Sequence, residues 1–195
     1  MSLAFILGGY LLGSIPFGLL IAKIRKIDIR EYGSGNIGAT NVLRALGLGP
    51  GLIVLLLDLL KGFVPVTLTQ FLGQDPWVIT LCGLAAVIGH TFPIFLGFKG
   101  GRGAATALGM LLGIAPDIFV LAVALFFVVT ALTRYVSVGS LSTAVVSAAA
   151  FIILARPLPY TLTAALVALL IVLRHMPNIK RLLQGTESRI GVKGE

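Results

Sequence analysis

The sequence predicts an all-α fold, a polytopic membrane helix bundle of about seven transmembrane helices with short or broken helices beside its polar intervals. Three observations carry this. Of 195 residues, 57% are hydrophobic and 11% are charged, against roughly 25% charged in an average soluble protein. Mean hydropathy is +1.05. The charges sit in short intervals between apolar runs, many of them near the ~20 residues that a helix needs to cross hydrocarbon.

The first span covers residues 3–22, with Pro16 as a kink. No basic region precedes it and no clean small-residue cleavage site follows, so it reads as a retained span rather than a signal peptide. Lys23, Arg25, Lys26 and Arg30 come next, then the glycine-rich interval 33–47. The second span, 50–72, carries Asp58 and Lys61, three apart on one helix face and therefore able to pair. Trp77 opens the third span, 77–98, at an interfacial position, and His90 and Pro93 interrupt it. The fourth, 104–115, is short for ~30 Å of hydrocarbon and is alternatively half of a re-entrant hairpin with the next apolar run. Spans five to seven are 118–132, 136–154 and 160–173, and the tail from Arg174 is polar and basic.

Charge sets the orientation. With the N-terminus outside and the C-terminus cytoplasmic, every one of the fifteen basic residues except Arg156 and Lys61 falls on the inner side, Lys193 included. The net charge of +8 is thereby explained by topology, and no nucleic-acid partner is expected. The single Cys82 excludes an intramolecular disulfide, and two histidines with no metal-ligand spacing predict no metal and no cofactor. Residues 1–195 read as one integral membrane domain, with no obligatory protein partner inferred.

Three polar intervals share the inner face in this topology. In 33–47, Gly33, Gly35, Gly38 and Gly47 allow a tight fold. Ser34, Asn36, Thr40 and Asn41 add hydroxyls and amides, and Arg44 adds a planar fork of donors. Such a turn makes an anion-binding concavity; the plain alternative is a flexible loop between two helices. In 99–103, Lys99, Gly100, Gly101, Arg102 and Gly103 lead straight into an apolar helix, whose N-terminus favours phosphate, and Thr106 lies one turn in. The spacing of a Walker loop is absent, and a basic loop that only sets topology is the plain alternative. His175 and Asn178 form the third interval, with Lys180, Arg181 and Glu187 behind them. A histidine there serves as base, donor or phosphate ligand, or simply caps a helix end. Ser137, Ser140 and Ser142 supply hydroxyls to a site or, as the favoured reading, bond across helices. The inventory suits anions and is poor in side-chain bases.

The runs Ser34-Gly-Asn-Ile-Gly-Ala-Thr-Asn41, His90-Thr-Phe-Pro-Ile-Phe95 with Lys99-Gly-Gly-Arg-Gly-Ala-Ala-Thr106, and His175-Met-Pro-Asn-Ile179 resemble, in that order, the bacterial acyl-phosphate:glycerol-3-phosphate acyltransferase family. The resemblance spans the whole chain, with one departure: Arg102 stands where the family pattern has Lys. It implies transfer of an acyl group from acyl phosphate to the 1-hydroxyl of sn-glycerol 3-phosphate at the cytoplasmic face of the inner membrane. It also implies candidate catalytic roles for Ser34, Arg44, Lys99, His175 and Asn178, which with Asn36 would hold glycerol phosphate. Gly38, Thr40, Asn41 and the backbone of Gly100, Gly101, Arg102 and Gly103 would hold acyl phosphate, with Gly35, Thr106 and Ser142 as further substrate-binding candidates. Glu187 is expected to anchor the tail to a neighbouring cation. A transporter for a phosphorylated small molecule and a scaffold for anionic lipid headgroups are the rival readings. The lack of a clear internal repeat counts against the first, and clustered glycines and amides count against the second.

Overall fold

The computed structural model describes residues 2–190, all of whose regular elements are helices. Lys193 lies outside the described residues. The chain divides into two compact units, Met1–Ile114 and Ala115–Glu195.

In the first unit, α1 (Ser2–Gly13) and α2 (Phe17–Ile24) form one apolar stretch of 23 residues broken just before Phe17. Pro16 has no N–H to continue the ladder, and the Ser14 hydroxyl donates back to the Tyr10 carbonyl at 2.8 Å. After a 3-10 turn at Ile29–Glu31 come α3 (Ala39–Leu46) and the 24-residue α4 (Leu48–Phe71). Helix α5 (Pro76–Thr91) starts on Asp75, whose side chain accepts from the Trp77 N–H. A second 3-10 turn, Ile94–Leu96, precedes α6 (Ala104–Ile114).

Small residues let these helices touch backbone to backbone, the usual device where lipid removes any hydrophobic drive between helices. Helix α1 lies on α5: a Cβ on Gly13 would stand 2.1 Å from the Ala86 carbonyl oxygen, and one on Gly89 2.2 Å from that of Tyr10. Helix α4 lies on α6 in the same way, with Gly62 against Thr106 and Gly109 against Leu59.

The second unit comprises α7 (Pro116–Thr133), α8 (Val136–Ile153), α9 (Leu158–Arg174) and α10 (Met176–Leu183). Helix α7 packs on α8 and α8 on α9, while α9 and α10 meet at a 52° bend beside Pro177.

Among the described residues, five stretches are long and apolar enough to cross a membrane, with α1 and α2 counted as one and α5 taken on to Leu96, or six if α9 and α10 count as one bent span. The expected seven are not all reached by length because α6 has 11 residues and α9 has 17. At ~1.5 Å per residue, α6 extends only about 16 Å. Two short helices are absent from the sequence reading. Half of the interval 33–47 is α3, because Ala39, Val42, Ala45 and Leu46 recur at helical spacing and face a core of Leu19, Ala22, Ile29 and Val54. The polar tail likewise begins with α10.

Candidate active site

The first glycine-rich turn is shaped by Asn41. Its buried side chain accepts from the Ser34 N–H at 3.0 Å and donates to the Ile29 and Tyr32 carbonyls at 3.1 and 2.9 Å. Gly33 and Gly35 stand at φ +56° and +67°, the left-handed region that this fold-back requires. Asn41, expected at the acyl phosphate, therefore commits its amide to the turn itself. Ser34, Asn36 and Thr40 remain half-buried around it, and Gly35 is exposed. The Asn36 amide folds back over Gly38, where a Cβ would come within 3.0 Å of Nδ2. Gly38 caps α3, so the first-turn N–H groups of that helix open beside Asn36. Thr40 and Arg44, four apart, share the face of α3 turned from the core, and Arg44 is exposed.

The second turn rests on the end of α5. Gly100 and Gly101 donate their N–H groups to the Thr91 and His90 carbonyls at 3.2 and 3.0 Å. Donors for an anion therefore lie further on, in the first turn of α6 after Gly103, where N–H groups have no carbonyl within the helix. Thr106, in that turn, is fully buried. Lys99 is exposed and Arg102 half-buried. Leu96 packs against the same apolar cluster as Ile37 and Val42, so the turn ahead of Lys99 and the first glycine-rich turn share one core.

Beneath this second turn lies a buried charge cluster. Lys61 Nζ is 2.9 Å from Asp58 Oδ1, as the spacing predicts, and also donates to the Ile15 carbonyl at 3.0 Å. Asp58 Oδ1 is 3.6 Å from His90 Nδ1. Sequence reasoning found the pair but not its third member, since nothing local ties residue 90 to residue 58.

In the second unit, His175 is buried between α9 and α10, and its Nδ1–H donates to the Ile171 carbonyl at 2.8 Å. A carbonyl only accepts, so Nδ1 carries the proton and Nε2 is the nitrogen able to take one. Asn178 is buried too and donates through Nδ2 to Glu187 Oε1 at 2.6 Å. Glu187 also receives the Ser137 hydroxyl at 2.8 Å and Arg181 Nε at 2.7 Å. The expected anchor is present, and it gathers Ser137 and Asn178 as well as a cation. Ser142 lies further along α8, half-buried. Arg189 Nε donates to the Tyr135 hydroxyl at 2.9 Å, which fastens the tail once more.

Burial alone would raise the Glu187 carboxyl, but the hydrogen bonds from Asn178, Ser137 and Arg181 outweigh it and hold it below the usual carboxylate range. A lowered pKa contributes stability above the unfolded value of about 4.3 and loses it as pH falls through the folded value. Limited proteolysis is therefore expected to release the tail increasingly below about pH 4.3. Glu187→Gln should leave it loose at neutral pH and remove that pH dependence.

Fold and site define a multi-pass membrane protein whose polar groups gather in glycine-rich, cation-flanked turns. The sequence profile of the glycerol-3-phosphate acyltransferase family matches residues 3–185, and the chain belongs to that family. It is 50% identical over 186 residues to the glycerol-3-phosphate acyltransferase of Geobacter sulfurreducens, covering 92% of this chain and 93% of that one. Identity to the enzyme of Halalkalibacterium halodurans is 46% over 197 residues, covering 97% and 96%. The crystal structure of PlsY, an integral membrane glycerol 3-phosphate acyltransferase, in its glycerol 3-phosphate form superposes with a TM-score of 0.94 at 42% identity, covering 97% and 96% of the two chains. Its lysophosphatidic acid form gives 0.91 at the same identity. The chain is thus a membrane acyltransferase of phospholipid biosynthesis.

Proposed function

We propose that this acyltransferase takes its acyl group from acyl phosphate and places it on the 1-hydroxyl of sn-glycerol 3-phosphate, releasing lysophosphatidic acid and inorganic phosphate. The observation that carries the reading is the site inventory: two glycine-rich turns on one core, each followed by a helix N-terminus and flanked by Arg44, Lys99 and Arg102. That equipment suits two phosphate groups, and the apolar helices suit an acyl tail. The solved relatives with glycerol 3-phosphate and lysophosphatidic acid fit the acceptor and the product.

Ser34, Asn36, Arg44 and Lys99 are assigned to glycerol phosphate. Gly38, Thr40, Arg102, Gly103 and Thr106 are assigned to acyl phosphate. Gly35, Gly100, Gly101 and Asn41 shape the turns. His175 is assigned to glycerol phosphate through Nε2, Asn178 holds the α10 region in place through Glu187, and Ser142 is a lesser contact to acyl phosphate. The hydroxyl oxygen attacks the acyl carbonyl, the carbon–oxygen bond to phosphate breaks, and phosphate departs with the hydroxyl proton. Donors aimed at the carbonyl oxygen stabilise the tetrahedral oxyanion. The base-poor inventory favours the donor's own phosphate as the proton acceptor. His175→Ala is then expected to raise the KM for glycerol 3-phosphate about tenfold while kcat stays within about threefold of the parent. A fall in kcat of ~10² or more would instead make His175 the base.

The charge pattern supports an N-terminus outside, a C-terminus inside and a site facing the cytoplasm of a bacterial inner membrane, with α6 and α9 completing seven crossings. The decisive assay supplies purified protein in lipid with palmitoyl phosphate and labelled glycerol 3-phosphate, with palmitoyl coenzyme A as a second donor. Labelled lysophosphatidic acid with matching phosphate release from the first donor alone is expected. Turnover with the thioester instead would overturn the donor assignment. No acylated product, with labelled glycerol phosphate moved into sealed vesicles, would promote a transporter.

A further inference from the structure

The groups buried beneath the second glycine-rich turn have no part in the chemistry just described. Asp58, Lys61 and His90 are 2–5% exposed, within an otherwise apolar run of helix. Ionisable groups at such depth are costly and are kept where they serve a site. Their partners come from separate elements of the first unit. Lys61 holds Asp58 from one turn along α4, donates to Ile15 in the break between α1 and α2, and lies 5.7 Å from the centre of the Phe17 ring. Asp58 faces His90 on α5.

His90 in turn meets the glycine turn directly. A Cβ on Gly101 would stand 2.1 Å from Nε2 and 2.9 Å from Cε1, so only the bare backbone of a glycine fits against the Nε2 edge of the imidazole. The Gly101 N–H donates to the carbonyl of the same histidine. Residue 101 is therefore clasped by both the ring and the backbone of residue 90. Three residues later α6 begins, and its first turn is fixed from the α4 side where Gly62 meets Thr106. Ring position thus sets where the N-terminus of α6 points.

We propose that His90 is a positioning residue: oriented by the Asp58–Lys61 pair, its ring is the seat that aims the 100–103 turn and the first turn of α6 at the phosphate of the acyl donor. The inference rests on the reading that this turn holds acyl phosphate. It assigns the buried triad to substrate placement and gives it no part in proton transfer.

Steady-state kinetics in lipid, with palmitoyl phosphate and glycerol 3-phosphate varied separately, test it together with thermal unfolding. His90→Leu keeps much of the volume and loses the polar edge toward Asp58. It is expected to raise the KM for palmitoyl phosphate roughly tenfold, a modest share of what a charge-assisted phosphate contact contributes. The KM for glycerol 3-phosphate should stay within about twofold and kcat within about threefold. His90→Gln, whose amide reaches the Nε2 position against Gly101, should recover most of the loss, whereas His90→Asn, which reaches only toward Asp58 and leaves that seat empty, should not. If His90→Leu does not fold, the Asn and Gln variants decide, and equal KM values for the two overturn the proposal. A lowered melting temperature with every KM unchanged also overturns it, since that is a purely structural role. Gly101→Ala presses on the ring and should show the same KM signature. If Gly101→Ala shifts the KM and His90→Leu does not, the inference falls and the acyl-phosphate reading stands. If the parent turns over and neither variant moves that KM, the reading falls and the inference with it.

Discussion

Lys61→Met should be among the most damaging single changes in the first unit, costing about 3–5 kcal/mol of stability. The side chain is of similar length and apolar, so no cavity of consequence forms. What it removes is the counter-charge 2.9 Å from a carboxylate that is 2% exposed. A buried ion pair adds little net stability over apolar residues of the same shape, yet breaking it strands a charge. The sharper prediction is therefore non-additive. Asp58→Asn combined with Lys61→Met should be milder than Lys61→Met alone, because the stranded charge is gone. His90, 3.6 Å from Asp58, partly compensates in the single variant, so Lys61→Met with His90→Leu should be worse than the sum of the two. Melting temperatures in detergent or nanodiscs measure all four, with a fall of roughly 10 °C for the lysine variant. A Lys61→Met protein as stable as the parent would show that Asp58 is neutral in the fold.

That cluster also marks the boundary of what is legible in a sequence. The Asp58–Lys61 pair follows from a spacing of three on one helix, a local rule that needs no tertiary knowledge. The contact of His90 with Gly101 depends on how the chain turns back over Pro93 and Gly97, and no local pattern specifies that return. Residue chemistry was legible at Ser34, Arg44 and Lys99, because glycines and cations stand out against an apolar background. Which of those polar groups face a ligand was not. Asn41 looks in the sequence like one more amide for a substrate, yet it hydrogen-bonds Ser34, Ile29 and Tyr32. Helix α3 is hidden for a related reason: it has only 8 residues, and Thr40, Asn41 and Arg44 set among its apolar positions read as loop. The break at Pro16 and the brevity of α6 were legible, since proline geometry and hydrocarbon thickness are general constraints. Glu187 was legible as an anchor, but the gathering of Ser137 and Asn178 around it was not, because the three lie on α8, α10 and the tail.

Arg44→Ala should lower kcat/KM by about 10²–10³ while leaving the fold intact. The fold survives because Arg44 is exposed on the outer face of α3, and the face that packs is carried by Ala39, Val42, Ala45 and Leu46. Activity falls because α3 presents, on one side, its N-terminal N–H groups, the Thr40 hydroxyl and the Arg44 guanidinium, and only the last supplies a full charge to a phosphate. A guanidinium grips two phosphate oxygens at once, so in the proposed role Arg44 would fix the orientation of glycerol phosphate as well as its affinity. Orientation matters here because the attacking hydroxyl is at the far end of the molecule from the phosphate, so a small rotation of the anchor displaces the nucleophile. Arg44→Lys keeps the charge and loses the fork. It is expected to recover affinity more than turnover, with a KM for glycerol 3-phosphate closer to the parent's and a kcat still reduced at least tenfold. The comparison separates charge from geometry at this position. Equal recovery of both parameters would make Arg44 a point charge that only gathers substrate, and an Arg44→Ala protein that turns over within fivefold of the parent would remove it from the site.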